Sequence, residues 1–356
     1  MSKIKIGIIG TGGISHVHIA GYQRLTDKVE VAAVCDLNEE RVKEYAKKYN
    51  VPKYYLDYNE MLAAEKLDAI SVCTWNSEHK PATIAALKAG CDVLCEKPMA
   101  LNAVEAMEME ETAKKTGKIL MLGFVRRYAN DTAIVKQFIN AGLIGDIYYA
   151  KATYLRRNGC PGGWFGDKSY SGGGPLIDLG VHVMDLARYL AGSPLPVSAY
   201  GVTFNNLGVE RVEGQSVAWK APSYGDPRFL HNVEDLATAL IRFDNGFTIS
   251  MEASFNLNLE KDVARIEIFG TKAGVKLDPG VQIFSDMANN FVNIQPAGDS
   301  AISFDGLFEN EVAHFVDCVE NKKEPISTAR DGVVLMKMID AVYESAKTGS
   351  EVKIAW

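Results

Sequence analysis

Near the N-terminus an apolar run breaks into glycines and then resumes at helical spacing. Ile8-Ile9 leads into Gly10-Thr11-Gly12-Gly13-Ile14-Ser15, and the stretch to Leu25 reads as a helix. A buried strand that turns at once into a helix needs residues without side chains at the turn. Such a turn lets backbone approach a pyrophosphate, and the helix behind it offers free N–H groups and the positive end of its dipole. The chain is therefore expected to begin as a doubly wound α/β sheet with a dinucleotide site.

The next hundred residues repeat the alternation. Strands are expected at Lys5–Ile9, Val29–Cys35, Ala69–Thr74, Asp92–Glu96 and Lys118–Phe124. Helices are expected at Glu39–Tyr49, His79–Ala89 and Ala103–Lys115. Continuous apolar strands separated by helices predict a parallel sheet covered on both faces. After about residue 124 the pattern changes. A helix near Thr132–Ala141 precedes a long strand, Ile147–Arg157, and a Gly-rich loop precedes one helix over Pro175–Leu190. Leu236–Phe243 and Phe247–Phe255 flank Asp244-Asn245-Gly246, a hairpin signal. Further strands are expected at Arg265–Phe269, Val275–Leu277 and Val281–Phe284, and helices at Glu311–Glu320 and Asp331–Lys347. These patterns predict an α+β domain with a large, mostly antiparallel open sheet. With 356 residues the chain exceeds one ordinary core. The expected division is 1–124 for the dinucleotide and 125–356 for substrate and subunit association.

The net charge of −7 and the lack of a basic stripe argue against nucleic acid. No apolar stretch reaches the ~18 residues of a membrane helix, and no export signal is evident. The six cysteines match neither a zinc site nor a disulfide framework. They read as buried thiols of a cytoplasmic protein.

Asp36 closes the second strand, about 20 residues beyond the glycines, where a carboxylate can accept from both ribose hydroxyls and repel a 2′-phosphate. NAD is expected over NADP; the alternative is a Gly-rich turn of another fold with Asp36 as a helix cap. Ser15 stands where the third glycine of the G-x-G-x-x-G pattern would be. Lys97 follows the strand Asp92–Glu96, so it falls at the carboxyl edge, where such sheets bind ligands; alone it could be a surface lysine. Asp178 and His182 lie four apart on the expected helix and share a face, with Asp185 continuing it. A carboxylate beside an imidazole can orient it and stabilise its protonated form, although a surface pair would read the same. No third ligand accompanies them, so no metal is expected.

Taken together these residues resemble the glucose–fructose oxidoreductase / inositol dehydrogenase / MocA (Gfo/Idh/MocA) family. The matching segments are Gly10 to Ser15, Cys35-Asp36, Asn76-Ser77-Glu78-His79 and Ala89-Gly90 leading into Cys95-Glu96-Lys97-Pro98. They continue with Gly123-Phe124, Arg126-Arg127-Tyr128 and Gly173-Gly174-Pro175-Leu176-Ile177-Asp178-Leu179-Gly180-Val181-His182. The resemblance implies NAD(P)-linked oxidation of sugars or polyols and a C-terminal sheet used for homodimers or homotetramers. It implies cofactor contacts from Gly10, Thr11, Gly12, Gly13, Ile14, Asp36, Thr74, Asn76, His79, Glu96, Lys97 and Arg127. It further implies that Lys97 contacts the reacting hydroxyl, that His182 is the acid/base and that Asp178 supports it.

The segment Tyr154-Leu155-Arg156-Arg157-Asn158 lacks the histidine common in the family's polyol dehydrogenases, which argues against inositol itself. Arg156, Asn158 and Trp164 are candidate substrate residues. Trp164 could stack on the apolar face of a pyranose or simply anchor its loop. Trp219, in the long stretch Asn205–Asn232, could be a lid or interface residue. The expected function is transfer of a hydride between NAD and a secondary hydroxyl of a cyclic sugar, glycoside or polyol. Alternatives are an inositol-type dehydrogenase, an enzyme recycling tightly bound NAD, and a non-catalytic dinucleotide or sugar sensor, which need not keep Lys97, Asp178 and His182.

Overall fold

The computed structural model describes residues 3–208, 220–221, 223, 225–278, 280–298, 300–301, 303 and 306–356. The chain divides into two compact units: Met1–Tyr128 with Phe304–Val333, and Ala129–Ser303 with Val334–Trp356.

The first unit runs β1 (Ile4–Ile9), α1 (Ser15–Gln23), β2 (Val29–Cys35), α2 (Glu39–Tyr49), β3 (Lys53–Tyr55) and α3 (Tyr58–Ala64). It continues with β4 (Ala69–Val72), α4 (His79–Lys88), β5 (Asp92–Glu96), α5 (Ala103–Thr116) and β6 (Leu120–Gly123). The six strands are parallel in the order β3-β2-β1-β4-β5-β6. The order reverses between β1 and β4, which places the dinucleotide crevice at the carboxyl ends of those strands. The strands are apolar on both faces because helices cover both. Ile6, Ile8, Val34 and Leu94 belong to one buried cluster with Val312 and Phe315.

The second unit begins with α6 (Asn130–Asn140), β7 (Ile147–Leu155) and the short α7 (Lys168–Ser171). The expected helix over Pro175–Leu190 is instead a π-helical turn, Leu176–Gly180, running into α8 (Val181–Leu190). Strands come next: β8 (Pro196–Phe204), β9 (Leu236–Phe243), β10 (Thr248–Ser254), β11 (Val263–Gly270), β12 (Ala273–Leu277), β13 (Val281–Met287) and β14 (Asn290–Ile294). The chain then forms α9 (Leu307–Asn321), α10 (Ala329–Thr348) and β15 (Val352–Lys353). Nine strands pair as β14-β13-β12-β11-β7-β10-β9-β8-β15, all antiparallel except β7 with β10. The expected hairpin forms between β9 and β10, with Gly246 at φ +86°. Both sheets agree with the fold class read from the sequence.

Candidate active site

Each glycine of the first turn has its own reason. Gly10 sits at φ +90°, and a Cβ there would stand 2.6 Å from the Cys73 carbonyl oxygen. No residue with a side chain fits between β1 and the end of β4. A Cβ on Gly12 would meet nothing within 4 Å, so the backbone there borders open space of the kind a pyrophosphate needs. Ser15, the departure from the glycine pattern, is buried and donates its hydroxyl to the Gly12 carbonyl at 2.6 Å. A small residue suffices at this packing position, and its hydroxyl also fastens the turn.

Asp36 faces this loop. Its Oδ2 accepts the Thr11 amide at 2.8 Å and the Thr11 hydroxyl at 2.9 Å, and its Oδ1 accepts the Asn38 amide at 2.9 Å. Arg41 adds a fork, Nη2 to Oδ1 at 2.6 Å and Nε to Oδ2 at 3.2 Å. Burial pushes the Asp36 pKa up, but the Arg41 hydrogen bonds and the two amides outweigh it and hold the carboxyl below its ordinary value. The cap of α2 is Asn38, not Asp36: its side chain accepts the Arg41 amide at 2.9 Å. Asp36 thus stays ionised beside the glycine turn. Sequence reasoning missed Arg41, although a basic residue in the first turn after a strand-end aspartate is visible in the sequence.

At the carboxyl end of β5, Glu96 is buried. Its Oε1 lies 2.8 Å from His18 Nε2, and its Oε2 accepts the Lys97 amide at 3.1 Å. The second ring nitrogen of His18 lies 3.2 Å from the Ser71 hydroxyl. Glu311, on α9, completes a buried trio: one donor atom each from His18, Glu96 and Glu311 lie within 4.8 Å of one another. Both Glu311 oxygens lack a hydrogen-bond partner. Burial, then the Glu96 charge, raise its pKa well above the ordinary value. Burial also works to raise Glu96, but the His18 hydrogen bond and the charges of His18 and Lys97 outweigh it, and the net shift is downward. His18 and Glu96 are already spent on each other, so a proton on Glu311 relieves the two-carboxylate repulsion without an ion.

His79, expected near the cofactor, is fully buried, and its Nδ1–H donates to the Pro98 carbonyl at 2.6 Å. Its Nε2 lies 3.3 Å from the Thr74 carbonyl oxygen. The ring therefore links the loop after β4, which carries Thr74 and Asn76, to the loop after β5, which carries Lys97. Arg127 is also buried, with its guanidinium on Asp331 at 3.0 Å and on the Ile326 carbonyl.

In the second unit, Asp178 lies within the π-helical turn and His182 in the first turn of α8. A π turn carries an extra residue relative to an α turn. The common face inferred from 3.6-residue spacing therefore does not extend from Asp178 to Asp185. Asp178 and Asp185 are buried and His182 is half-buried. Arg156 donates to the Gly159 carbonyl at 2.9 Å and lies over the Tyr154 ring. Asn158 is buried and bridges to Asn256. Trp164 stacks on Phe165 with centroids 3.8 Å apart, and its amide donates to Ser223 Oγ at 3.2 Å. Trp219 lies outside the described residues.

Two acids that sequence reasoning passed over organise this unit. Asp235 Oδ2 accepts the amides of Asn206, Leu207 and Gly208, which pins the start of the long loop after β8. Glu234 accepts the Gly174 and Leu176 amides at 3.0 and 3.2 Å and the Tyr343 hydroxyl at 2.8 Å. Burial raises the Glu234 pKa against these hydrogen bonds. The sequence signal for both was an acidic pair directly before an apolar strand.

Residues 4–124 match a family of oxidoreductases with an NAD-binding Rossmann fold (Gfo/Idh/MocA), and residues 136–354 match that family's C-terminal α/β domain. The chain is 35% identical over 355 residues to D-glucoside 3-dehydrogenase of Escherichia coli (strain K12), covering 99% of this chain and 98% of that protein. It is 29% identical over 357 residues to scyllo-inositol 2-dehydrogenase (NAD(+)) of Bacillus subtilis (strain 168), covering 99% and 96%. Among solved structures, levoglucosan dehydrogenase in complex with NADH and L-sorbose has the same fold, with a TM-score of 0.86 at 24% identity over 100% of both chains.

Proposed function

The chain belongs to the Gfo/Idh/MocA family of oxidoreductases, and on that premise we propose that it oxidises the 3-hydroxyl of a glucoside with NAD. The observation that carries the substrate class is the 35% identity, over nearly all of both chains, to a D-glucoside 3-dehydrogenase. NAD fits the first unit: Gly12 borders open space and Asp36 offers an ionised carboxylate beside it. Bound there, the nicotinamide would accept the hydride that leaves the ring carbon. Gly10 to Ile14 would hold the pyrophosphate, Asp36 the adenosine ribose, and Thr74, Asn76, Glu96 and Lys97 the nicotinamide side.

Hydride can leave the carbon only as the alcohol proton is taken, so a base must reach that hydroxyl. His182 is the base of this proposal, because an imidazole ordinarily titrates near neutral pH. Asp178 supports it. Lys97, as an ammonium, stabilises the developing alkoxide. Arg156, Asn158 and Trp164 line the sugar. In domain terms, the first unit binds the cofactor through 1–124, and the second unit, rather than all of 125–356, binds the sugar and a second subunit. All six cysteines are free thiols, which supports a reducing, cytoplasmic setting. No helix among the described residues is long and apolar enough to cross a membrane.

The test is a panel of methyl glucosides, free glucose, and myo- and scyllo-inositol with NAD, read at the absorbance of reduced nicotinamide. Glucosides should give the highest kcat/KM, with a 3-keto sugar as product by NMR. Turnover of inositols with none of glucosides would overturn the proposal. Cofactor released only on denaturation would reassign the chain to internal recycling of NAD.

A further inference from the structure

The run that carries Asp178 and His182 starts without a cap of its own. Its first residues are Gly172-Gly173-Gly174-Pro175, Pro175 already has helical angles, and no side chain of the run caps it. The amides at this start would be orphans. Glu234, two residues before β9, takes two of them: Oε2 accepts Gly174 N–H and Oε1 accepts Leu176 N–H. Tyr343, on α10, donates its hydroxyl to the same Oε1. The glycines are shaped to this clamp. A Cβ on Gly173 would stand 1.9 Å from the Tyr343 hydroxyl oxygen, and one on Gly174 would stand 2.2 Å from the Glu234 carbonyl oxygen.

Directly after this start the chain winds into its π-helical turn, a rare way to wind five residues that occurs mostly as a single turn within an α-helix and often at functional sites. If the start is released, the turn can rewind to α geometry. Asp178 lies inside this turn and His182 beyond its end, so a change in the winding between them alters how the two side chains stand relative to each other around the axis. We propose that Glu234, braced by Tyr343, is a positioning residue that holds this π turn and so sets the Asp178–His182 pair for proton transfer. Glu234 touches neither sugar nor cofactor in this role; it acts through the backbone of Gly174 and Leu176. The proposal rests on the reading of His182 as the acid/base.

The experiment compares Glu234→Gln, Glu234→Asp, Tyr343→Phe and His182→Ala with the wild-type full-length chain, on whichever methyl glucoside in the panel turns over fastest. Glutamine keeps the size of glutamate but replaces one accepting oxygen with a donating amide, which opposes an incoming N–H. Glu234→Gln should lower kcat by roughly 10–100-fold, the range for misplaced catalytic groups. Its NAD dissociation constant, measured by tryptophan fluorescence, should stay at the wild-type value. Tyr343→Phe should fall between wild type and Glu234→Gln, and Glu234→Asp should recover part of the loss. Rates are normalised to sites that bind NADH, so partial unfolding does not count as lost catalysis. An inactive His182→Ala beside a Glu234→Gln of wild-type kcat would overturn the inference alone. A fully active His182→Ala, or a panel without turnover, would overturn the reading beneath it and the inference with it.

Discussion

At the scale of single residues, the two ends of the proposed chemistry rest on different kinds of contact. Asp36 takes hydrogen bonds from Thr11, Asn38 and Arg41. A ribose diol must displace part of Arg41's fork to reach it. Asp36→Ser should therefore weaken NAD by on the order of 1–3 kcal/mol, the range for bonds to a charged group. It should weaken NADP far less, because the repulsion of a 2′-phosphate disappears with the carboxylate. Equilibrium titration with both dinucleotides checks this, and an unchanged NAD/NADP ratio removes Asp36 from the ribose. Lys97 and His182 are proposed to serve one proton transfer. Lys97→Met and His182→Ala should each lower kcat by roughly 10²–10⁴-fold, with the double variant far from additive. Wild-type turnover in either single variant takes that residue out of the mechanism. The residues of the first turn were legible because glycine at φ +90° leaves a mark in sequence. Glu234 and Asp235 were not, because an acid that binds backbone amides at a distant point of the chain looks like any acid before a strand.

Among the elements, β2, α2, β5 and β9 fell where apolar patterning put them, since each has one clear period and firm ends. The strand β3 was missed because three residues, Lys53-Tyr54-Tyr55, at a sheet edge show no period. The strand β8 was missed because its two faces do not separate into polar and apolar: Tyr200, Val202 and Phe204 share a face with Ser198, and the opposite face is Ala199, Gly201 and Thr203. The π turn was invisible for a deeper reason: its width depends on the Glu234 clamp, not on local propensity. The Tyr200 face of β8 also carries a prediction. Tyr200 pairs directly with Leu240 of β9, and both stay exposed, Leu240 at 46%. Phe204 and Phe284 are exposed as well, while Phe243, Ile249 and Phe255 are buried. Large apolar side chains left in water across adjacent strands mark a surface for association. A second copy of the chain should cover it, giving a dimer or tetramer by light scattering, and Leu240→Asp should shift the population toward monomer. A wild-type monomer at micromolar concentration would rule this out.

For the molecule as a whole, the sequence made both sheets legible but not the return of α9 to the first unit, because amphipathic spacing shows that a face is buried and not against what. Glu311 breaks that face with a carboxyl at 0% exposure and no partner. This makes the stability of the first unit depend on pH in a definite direction. Burial and the neighbouring Glu96 raise the folded pKa of Glu311 well above 4.5. Below the unfolded value both states hold the proton, and the acid costs little. As pH rises past about 4.5 the unfolded chain loses its proton while the folded one keeps it. Stability then falls, by up to about 1.4 kcal/mol per pH unit for one proton, until the folded pKa is reached. Glu311→Gln removes that titration while keeping the shape, and it also leaves Glu96 ionised without a competing acid. The difference in Tm, variant minus wild type, should therefore grow as pH is raised from 5 to 8. Scanning calorimetry across that range reads it directly, and parallel Tm curves for the two proteins would mean that Glu311 is already ionised in the folded chain.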